Sequence, residues 1–221
     1  MQSFTEENYL KTIYHLSQVN ESPVQTNAIA EKMQTRAASV TDMLKKLFDK
    51  QLIDYKKYQG VTLTTHGETV AIGVVRKHRL WEVFLVEKLQ FRWDEVHEIA
   101  EELEHINSAA LVERLDEFLG FPKRDPHGDP IPNRDGIFEP SLNVNLHQIP
   151  KGNYAVIIGV SEHSPAFLRH LEKLELTIGV VLELIEITEY DGSVELLVNN
   201  KKINISREVA QHILVNRKET V

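Results

Sequence analysis

Between Gly120 and Pro150 the chain reads GFPKRDPHGDPIPNRDGIFEPSLNVNLHQIP, a stretch that holds six of its eight prolines. Proline has no backbone N–H to give to a helix or a central strand, so neither element runs through such a segment. The chain divides there, and its apolar pattern changes across the break. Upstream the apolar residues recur at helical spacing, and downstream they gather in short runs rich in Val, Ile and Leu. The segment itself reads as a linker that skirts the surface.

At the upstream end, TEENYLKTIYHLSQ (residues 5–18) places Tyr9, Ile13 and Leu16 on one helical face, with Thr5 as a candidate cap. TNAIAEKM (26–33) opens on Thr26, a second candidate cap, and AASVTDMLKKLFDK (37–50) repeats the spacing at Val40, Met43, Leu44 and Leu47. LIDYKKYQGVTLTTHG then alternates apolar and polar residues on either side of a turn at Gln59-Gly60, and another helix is predicted from near Thr65. Three helices and a β-ribbon in this order are the layout of a winged helix-turn-helix, although a small helical domain with one hairpin shares it.

From Thr65 to about Leu119 the pattern is helical, with apolar stripes in LWEVFLVEKL and VHEIAEELEHI. Beyond the break, YAVIIGV, VVLELIEIT, SVELLVNN and ILVN read as strands, with a hairpin turn at Asp191-Gly192 and a short helix near 165–174. Short strands closing on one another suggest an SH3-like barrel. The expected fold class is mainly α with a small β part: a winged helix over 1–64, a helical segment over 65–140 with the linker at its end, and an SH3-like domain over 145–221.

The chain has no cysteine, which excludes disulfides, thiolate zinc sites, iron–sulfur clusters and a cysteine nucleophile. Carboxylate, imidazole and amide groups remain as metal ligands. No run approaches the roughly 18 apolar residues of a membrane span, and the N-terminus lacks a leader pattern, so a cytoplasmic protein is expected. The net charge of −8 is unevenly spread: residues 1–80 carry 11 Lys and Arg against 8 Asp and Glu, the remainder 14 against 25. The basic end coincides with the helix-turn-helix pattern, which fits a polyanionic partner there.

Two segments carry the densest chemistry. In HEIAEELEH, His97, Glu101, Glu104 and His105 fall at i, i+4, i+7 and i+8, so a continuous helix would place four donors on one face. In RKHRLWE, His78 and Glu82 are likewise one turn apart. Glu98 and Glu102 read as surface charges. Mixed imidazole and carboxylate donors suit manganese, ferrous iron or zinc better than calcium or magnesium. The same cluster would serve a hydrolase or oxidase, by activating water, or a metal chaperone.

TEENYLKTIYHL, VRKHRLWEVFL, VHEIAEELEHI and GFPKRDPHGDPIP, in this order, resemble the metal-dependent repressors of the diphtheria toxin repressor family, including its manganese-responsive branch. The resemblance implies a homodimer that binds an inverted-repeat DNA operator under control of a divalent metal and governs metal-homeostasis genes. It implies a primary metal site at Asn8, Glu101, Glu104 and His105, with His78 bridging toward it, and an ancillary site at His78, Glu82 and His97. Glu162 or His163 of the SH3-like domain would complete the latter. Glu101 stands where the iron-responsive branch has cysteine, and this harder donor favours Mn(II) over Fe(II), with zinc or cobalt as in vitro substitutes. Asn8 stands where relatives carry Asp or Met, so that ligand brings a carbonyl oxygen but no charge.

On this reading the helix that begins near Arg36 presents Ala38, Ser39, Thr41, Asp42 and Lys45 to the major groove. Arg36 and Lys45 would reach a guanine edge or a phosphate; Lys46, Lys56, Lys57 and Tyr58 would contact phosphates. Leu80, Val83, Phe84, Val86, Ile106, Leu111 and Leu115 serve either as dimer contacts or as core. Neither a membrane nor a small organic substrate is implied.

Overall fold

The computed structural model describes residues 2–19, 23–56, 59–140 and 143–217. It resolves into two compact units, interleaved along the chain. One comprises Met1–His78, Glu101–Leu115 and Pro132–Ile137; the other comprises Arg79–Ala100, Asp116–Ile131 and Phe138–Val221.

The first unit opens with α1 (Phe4–Val19). Its start is fixed by Ser3 and not by Thr5: Ser3 Oγ accepts from the Glu6 N–H (3.3 Å), and Glu6 Oε2 accepts from the Ser3 N–H (2.9 Å). This reciprocal pair satisfies two backbone donors at once, and it places Thr5 inside the helix, past the cap position. Next come α2 (Thr26–Lys32) and α3 (Ala37–Asp49). Thr26 is the first helical residue of α2, with Gln25 at the cap position, and Arg36 precedes α3. Strands β1 (Ile53–Lys56) and β2 (Gly60–Leu63) pair antiparallel with Ile53 opposite Leu63 and Lys56 opposite Gly60. Gly60, at φ +98°, sits where a Cβ would lie 2.9 Å from the Val24 carbonyl oxygen. Leu10 and Ile13 of α1, Ile29 of α2, Leu44 and Leu47 of α3 and Val61 of β2 are buried together with Leu52 and Ile53. Fully burying a side chain of this size contributes roughly 1.5–3 kcal/mol, so this core holds the three helices and the ribbon as one body.

Helix α4 (Thr65–Glu87) starts where Thr64 Oγ1 accepts from the Gly67 N–H, and belongs to the first unit as far as His78. Two shorter helices follow, α5 (Val96–Leu103) and α6 (Ala109–Phe118). The periodicity predicted one helix through His105; α5 stops two residues earlier, leaving Glu104 and His105 in the turn beyond it.

The second unit is built on a six-stranded antiparallel sheet, in the order β3-β8-β4-β5-β6-β7. Its strands are β3 (Val144–Asn145), β4 (Tyr154–Val160), β5 (Val181–Ile187), β6 (Val194–Val198), β7 (Lys201–Ile205) and β8 (Ile213–Arg217). Register shifts at Ile157/Gly159 and Leu184/Glu186 bend the sheet around a core that includes Ile157, Leu168, Leu184 and Leu196. Two capped helices lie between strands, α7 (Pro165–Lys173) behind Ser164 and α8 (Arg207–Gln211) behind Ser206.

The proline-rich segment departs from the surface linker that its composition predicts. Asp125, His127, Gly128 and Ile131 are buried. A Cβ on Gly128 would stand 2.2 Å from the Ile158 carbonyl oxygen, and the Val160 N–H donates to the His127 carbonyl (2.9 Å), so the loop lies directly on β4. Prolines exclude regular structure, but they do not keep a loop out of a core when its polar groups find partners. No helix among the described residues is long and apolar enough to cross a membrane.

Candidate metal centre

Among the described residues, a group of buried ionisable side chains lies in each unit. The first forms around Glu104, whose side chain is wholly buried. Its Oε2 lies 2.7 Å from His78 Nδ1, and Lys11 Nζ donates to both of its oxygens, at 2.6 and 2.7 Å. Burial opposes the charge on Glu104, but the His78 bond and the Lys11 ammonium outweigh it and hold the carboxyl below its ordinary range.

His105, next in the chain, has its Nδ1 2.7 Å from Glu7 Oε2 and its Nε2 3.8 Å from Glu104 Oε1. Phe4 stacks on the His105 ring at 4.8 Å, which orients the imidazole against α1. Lys77 Nζ lies 3.9 Å from Glu7, and burial lowers its pKa despite the attraction of Glu7 and Glu104. Glu101 is half-exposed and lies 3.5 Å from Lys11. Asn8 Oδ1 is a buried carbonyl oxygen without a hydrogen-bond partner. Buried polar atoms are rarely left so, and a ligand oxygen kept for a cation is one explanation of an orphan.

The second group forms around Glu82, also buried. Its Oε1 lies 3.5 Å from His97 Nδ1 and its Oε2 3.6 Å from His127 Nδ1. Donor atoms of Glu82, Asp125 and His127 all fall within 4.8 Å of one another. The loop carrying the last two is tied by Asp125 Oδ1, which accepts from the N–H groups of His127 (2.8 Å) and Asp129 (3.0 Å). Arg79 braces it through Asp129 (3.2 Å) and the Pro130 carbonyl.

His127 Nε2 bonds the Trp93 carbonyl at 2.8 Å, which leaves Nδ1 facing Glu82. An outer partner of this kind fixes the orientation of a ligating imidazole. Burial works against charge on His127, but Glu82 and Asp125 overcome it and push the pKa up to about 9. Burial and the charges of Glu82 and Asp129 raise Asp125 above the carboxylate range. A buried cluster with two carboxylates and a retained proton is the electrostatic counterpart of a cation site.

Of the two residues weighed from the SH3-like segment, His163 stacks on His127 at 4.9 Å and lies 3.9 Å from Asp129. Glu162 instead accepts from the Ser164 N–H at 2.8 Å. His97, which spacing placed beside Glu101, Glu104 and His105, faces Glu82. Glu7, Lys11, Asp125 and His127 escaped the sequence reading. Their signal was present in the Asp-X-His-X-Asp triplet of the loop and in the i, i+4 pairing of Glu7 with Lys11 on α1.

The expected DNA-reading residues lie on an open face. Arg36, Ala38, Ser39, Asp42, Lys45, Lys46 and Lys56 are exposed. Thr41 is half-buried, with its hydroxyl donating to the Ala37 carbonyl at 2.9 Å, and Lys45 pairs with Asp42 at 3.1 Å. Lys57 and Tyr58 lie outside the described residues. Among the apolar residues weighed between core and dimer contact, Leu80, Val83 and Leu115 are buried, whereas Ile106 and Leu111 are exposed. The first three are core.

Comparison with known proteins adds a family likeness over nearly the whole chain. Residues 1–61 match the family described as iron dependent repressor, N-terminal DNA binding domain, and residues 64–133 match iron dependent repressor, metal binding and dimerisation domain. Residues 144–217 match the FeoA domain. The iron-dependent repressor IdeR of Mycobacterium leprae (strain TN) is 28% identical over 225 residues, covering 96% of this chain and 97% of that protein. A solved structure of a manganese-dependent transcriptional repressor complex with manganese superposes with a TM-score of 0.86 at 33% identity, over 96% of this chain and 100% of that one. The manganese regulator SloR gives a TM-score of 0.76 at 36% identity, over 96% and 98%.

Proposed function

The chain belongs to the iron-dependent repressor family of metal-dependent, DNA-binding transcriptional repressors, which are not enzymes, and on that footing we propose that it is a manganese-activated repressor acting in the cytoplasm as a homodimer on an inverted-repeat operator. Its targets on this reading are metal-homeostasis genes. Residues 1–64 read DNA, 65–140 carry metal ligands and the dimer contact, and 145–221 form the SH3-like part.

One observation carries the reading: the buried Glu104–His105 turn meets α1 through Glu7 and Lys11, and α1 packs on α2 and β2 of the reading head. Asn8, Glu101, Glu104 and His105, with His78, are the proposed primary ligands. Glu7 is the added candidate. The orphaned Asn8 oxygen and the all-oxygen-and-nitrogen donor set fit a hard to borderline divalent ion, and Mn(II) before Fe(II) because no thiolate is available. A divalent ion held by these residues would supply the positive charge that the donors of α1 and those just beyond α5 share. Glu82, Asp125 and His127 are the proposed ligands of a second ion, with His97 and His163 beside them. This keeps Glu82 and His97 of the ancillary site expected from the family, adds Asp125 and His127, and assigns His78 to the first centre.

In this scheme α1 is the moving part. Fixing α1 against the Glu104 turn orders the reading head, so metal raises DNA affinity only as far as it favours the DNA-competent state, and DNA raises metal affinity equally. The test is fluorescence anisotropy of DNA from the protein's own promoter, titrated with chelated protein, with Mn(II) and with anaerobic Fe(II). Tight binding that requires metal supports the reading; binding indifferent to metal, or none, refutes it.

A further inference from the structure

We propose that Lys11 is a tethered competitor for the divalent ion: its ammonium already occupies the carboxylates of the first centre and sets how much free metal is needed to load it. The inference rests on reading that cluster as a metal centre.

The geometry is that of a bound cation. Lys11 Nζ donates to Glu104 Oε1 and Oε2 at 2.6 and 2.7 Å and lies 3.5 Å from Glu101 Oε1. Its side chain is 13% exposed and that of Glu104 is fully buried. A carboxylate so deeply buried is costly, and the Lys11 ammonium, together with the His78 bond, offsets this cost. Lys77 faces Glu7 at 3.9 Å, so each of the two buried carboxylates, Glu7 and Glu104, has an ammonium group beside it, with the half-exposed Glu101 next to Lys11.

A divalent ion on Glu104 needs the oxygens that Lys11 holds, and the two positive charges repel at that distance. Loading requires the ammonium to withdraw, which its flexible four-carbon stem permits. Asn8 and Lys11 are three residues apart on α1, so the exchange takes place on the helix face that carries the orphaned carbonyl oxygen. Removing the charge of Lys11 raises the free energy of the metal-free state by leaving Glu104 with His78 but no ammonium partner, while the loaded state, from which Lys11 has withdrawn, is little changed. Metal affinity then increases. A purely structural ion pair predicts the opposite or nothing: a less stable protein whose metal affinity is unaltered or lower.

The test measures Mn(II) affinity by competition with a chromogenic chelator, with thermal melts alongside, in an E82Q background that silences the second cluster. K11M is expected to bind Mn(II) at least about tenfold tighter than the E82Q parent, as for loss of a hydrogen bond to a charged group. K11R, which keeps the charge, is expected to stay near the parent, and Glu104→Gln to lose the ion. If K11M melts below the assay temperature, K11Q must show the same gain. An unchanged or weaker affinity in the folded neutral variant overturns the role of Lys11 while leaving the centre in place. Failure of the parent to bind Mn(II) in a Glu104-dependent way overturns both.

Discussion

Lys50 Nζ lies 2.7 and 2.8 Å from the two carboxylate oxygens of Glu6, joining the residue that caps the end of α3 to the first turn of α1. The next residue, Glu7, bonds His105 at 2.7 Å. Adjacent carboxylates on one helix thus face the reading helix and the candidate metal centre. Because a helix turn is stiff, a shift of α1 at one carboxylate is felt at the other.

Replacing Lys50 by Met leaves the buried Glu6 carboxylate without its counter-charge. Lys50 is half-exposed, so the expected loss is modest, about 1 kcal/mol, read from urea unfolding at neutral pH. Burial pushes Glu6 toward neutrality, but Lys50 and the Ser3 donors win and lower its pKa. A carboxylate depressed in the folded state stabilises above the unfolded carboxylate range and loses that contribution as pH falls through the folded value. The wild type is therefore expected to lose stability in acid more steeply than K50M. Parallel acid profiles would contradict the role assigned to this pair.

Glu82→Gln keeps the size of the side chain and removes the charge between His97 and His127. The bound Mn(II) per subunit, counted by elemental analysis after dialysis, is expected to fall by about one ion, as for loss of a ligating carboxylate. Unaltered stoichiometry would remove Glu82 from the ligands.

Gly128→Ala is expected to be severely destabilising. Gly128 has φ +91°, and its Cβ would stand 2.3 Å from the Gly159 Cα. Backbone strain alone costs of order 1–3 kcal/mol, and the clash is with main chain that has no side-chain freedom to yield. A thermal midpoint close to that of the wild type would show that the loop does not sit on β4 as described.

Lys46→Ala is expected to weaken binding to all DNA sequences alike and to flatten the salt dependence, with the slope of log K against log salt reduced by about 0.9 for one lost phosphate contact. A change confined to the operator, with an unaltered salt slope, would instead place Lys46 at a base edge.

The helices of residues 1–64 were legible in the sequence because their signals are local. Val40, Leu44 and Leu47 recur at the helical period and are all buried in α3, and the expected ribbon forms, with Gly60 as the first residue of β2 opposite Lys56 and not in the turn. The caps were less legible: Ser3 and Thr5 are both good caps by type, and only the reach of Glu6 back to the Ser3 N–H decides between them. The end of α5 was read wrongly for a similar reason. Glu104 and His105 continue the helical spacing, yet their side chains bond α1 and α4, and the backbone turns where those partners lie.

The sequence by itself determined the kinds of donor available and their helical faces, since residue type and periodicity are properties of a short stretch of chain. Only the tertiary structure decided which donors meet. Glu7 and His105 are 98 residues apart and Lys11 and Glu104 are 93 apart, and no spacing rule links positions so distant. The burial of Asp125 and His127 likewise depends on Gly128 letting a proline-rich loop approach β4, where the Val160 N–H meets the His127 carbonyl. Such meetings are set by how elements pack, because the free energy of a buried charge depends on every group around it and not on its neighbours in sequence.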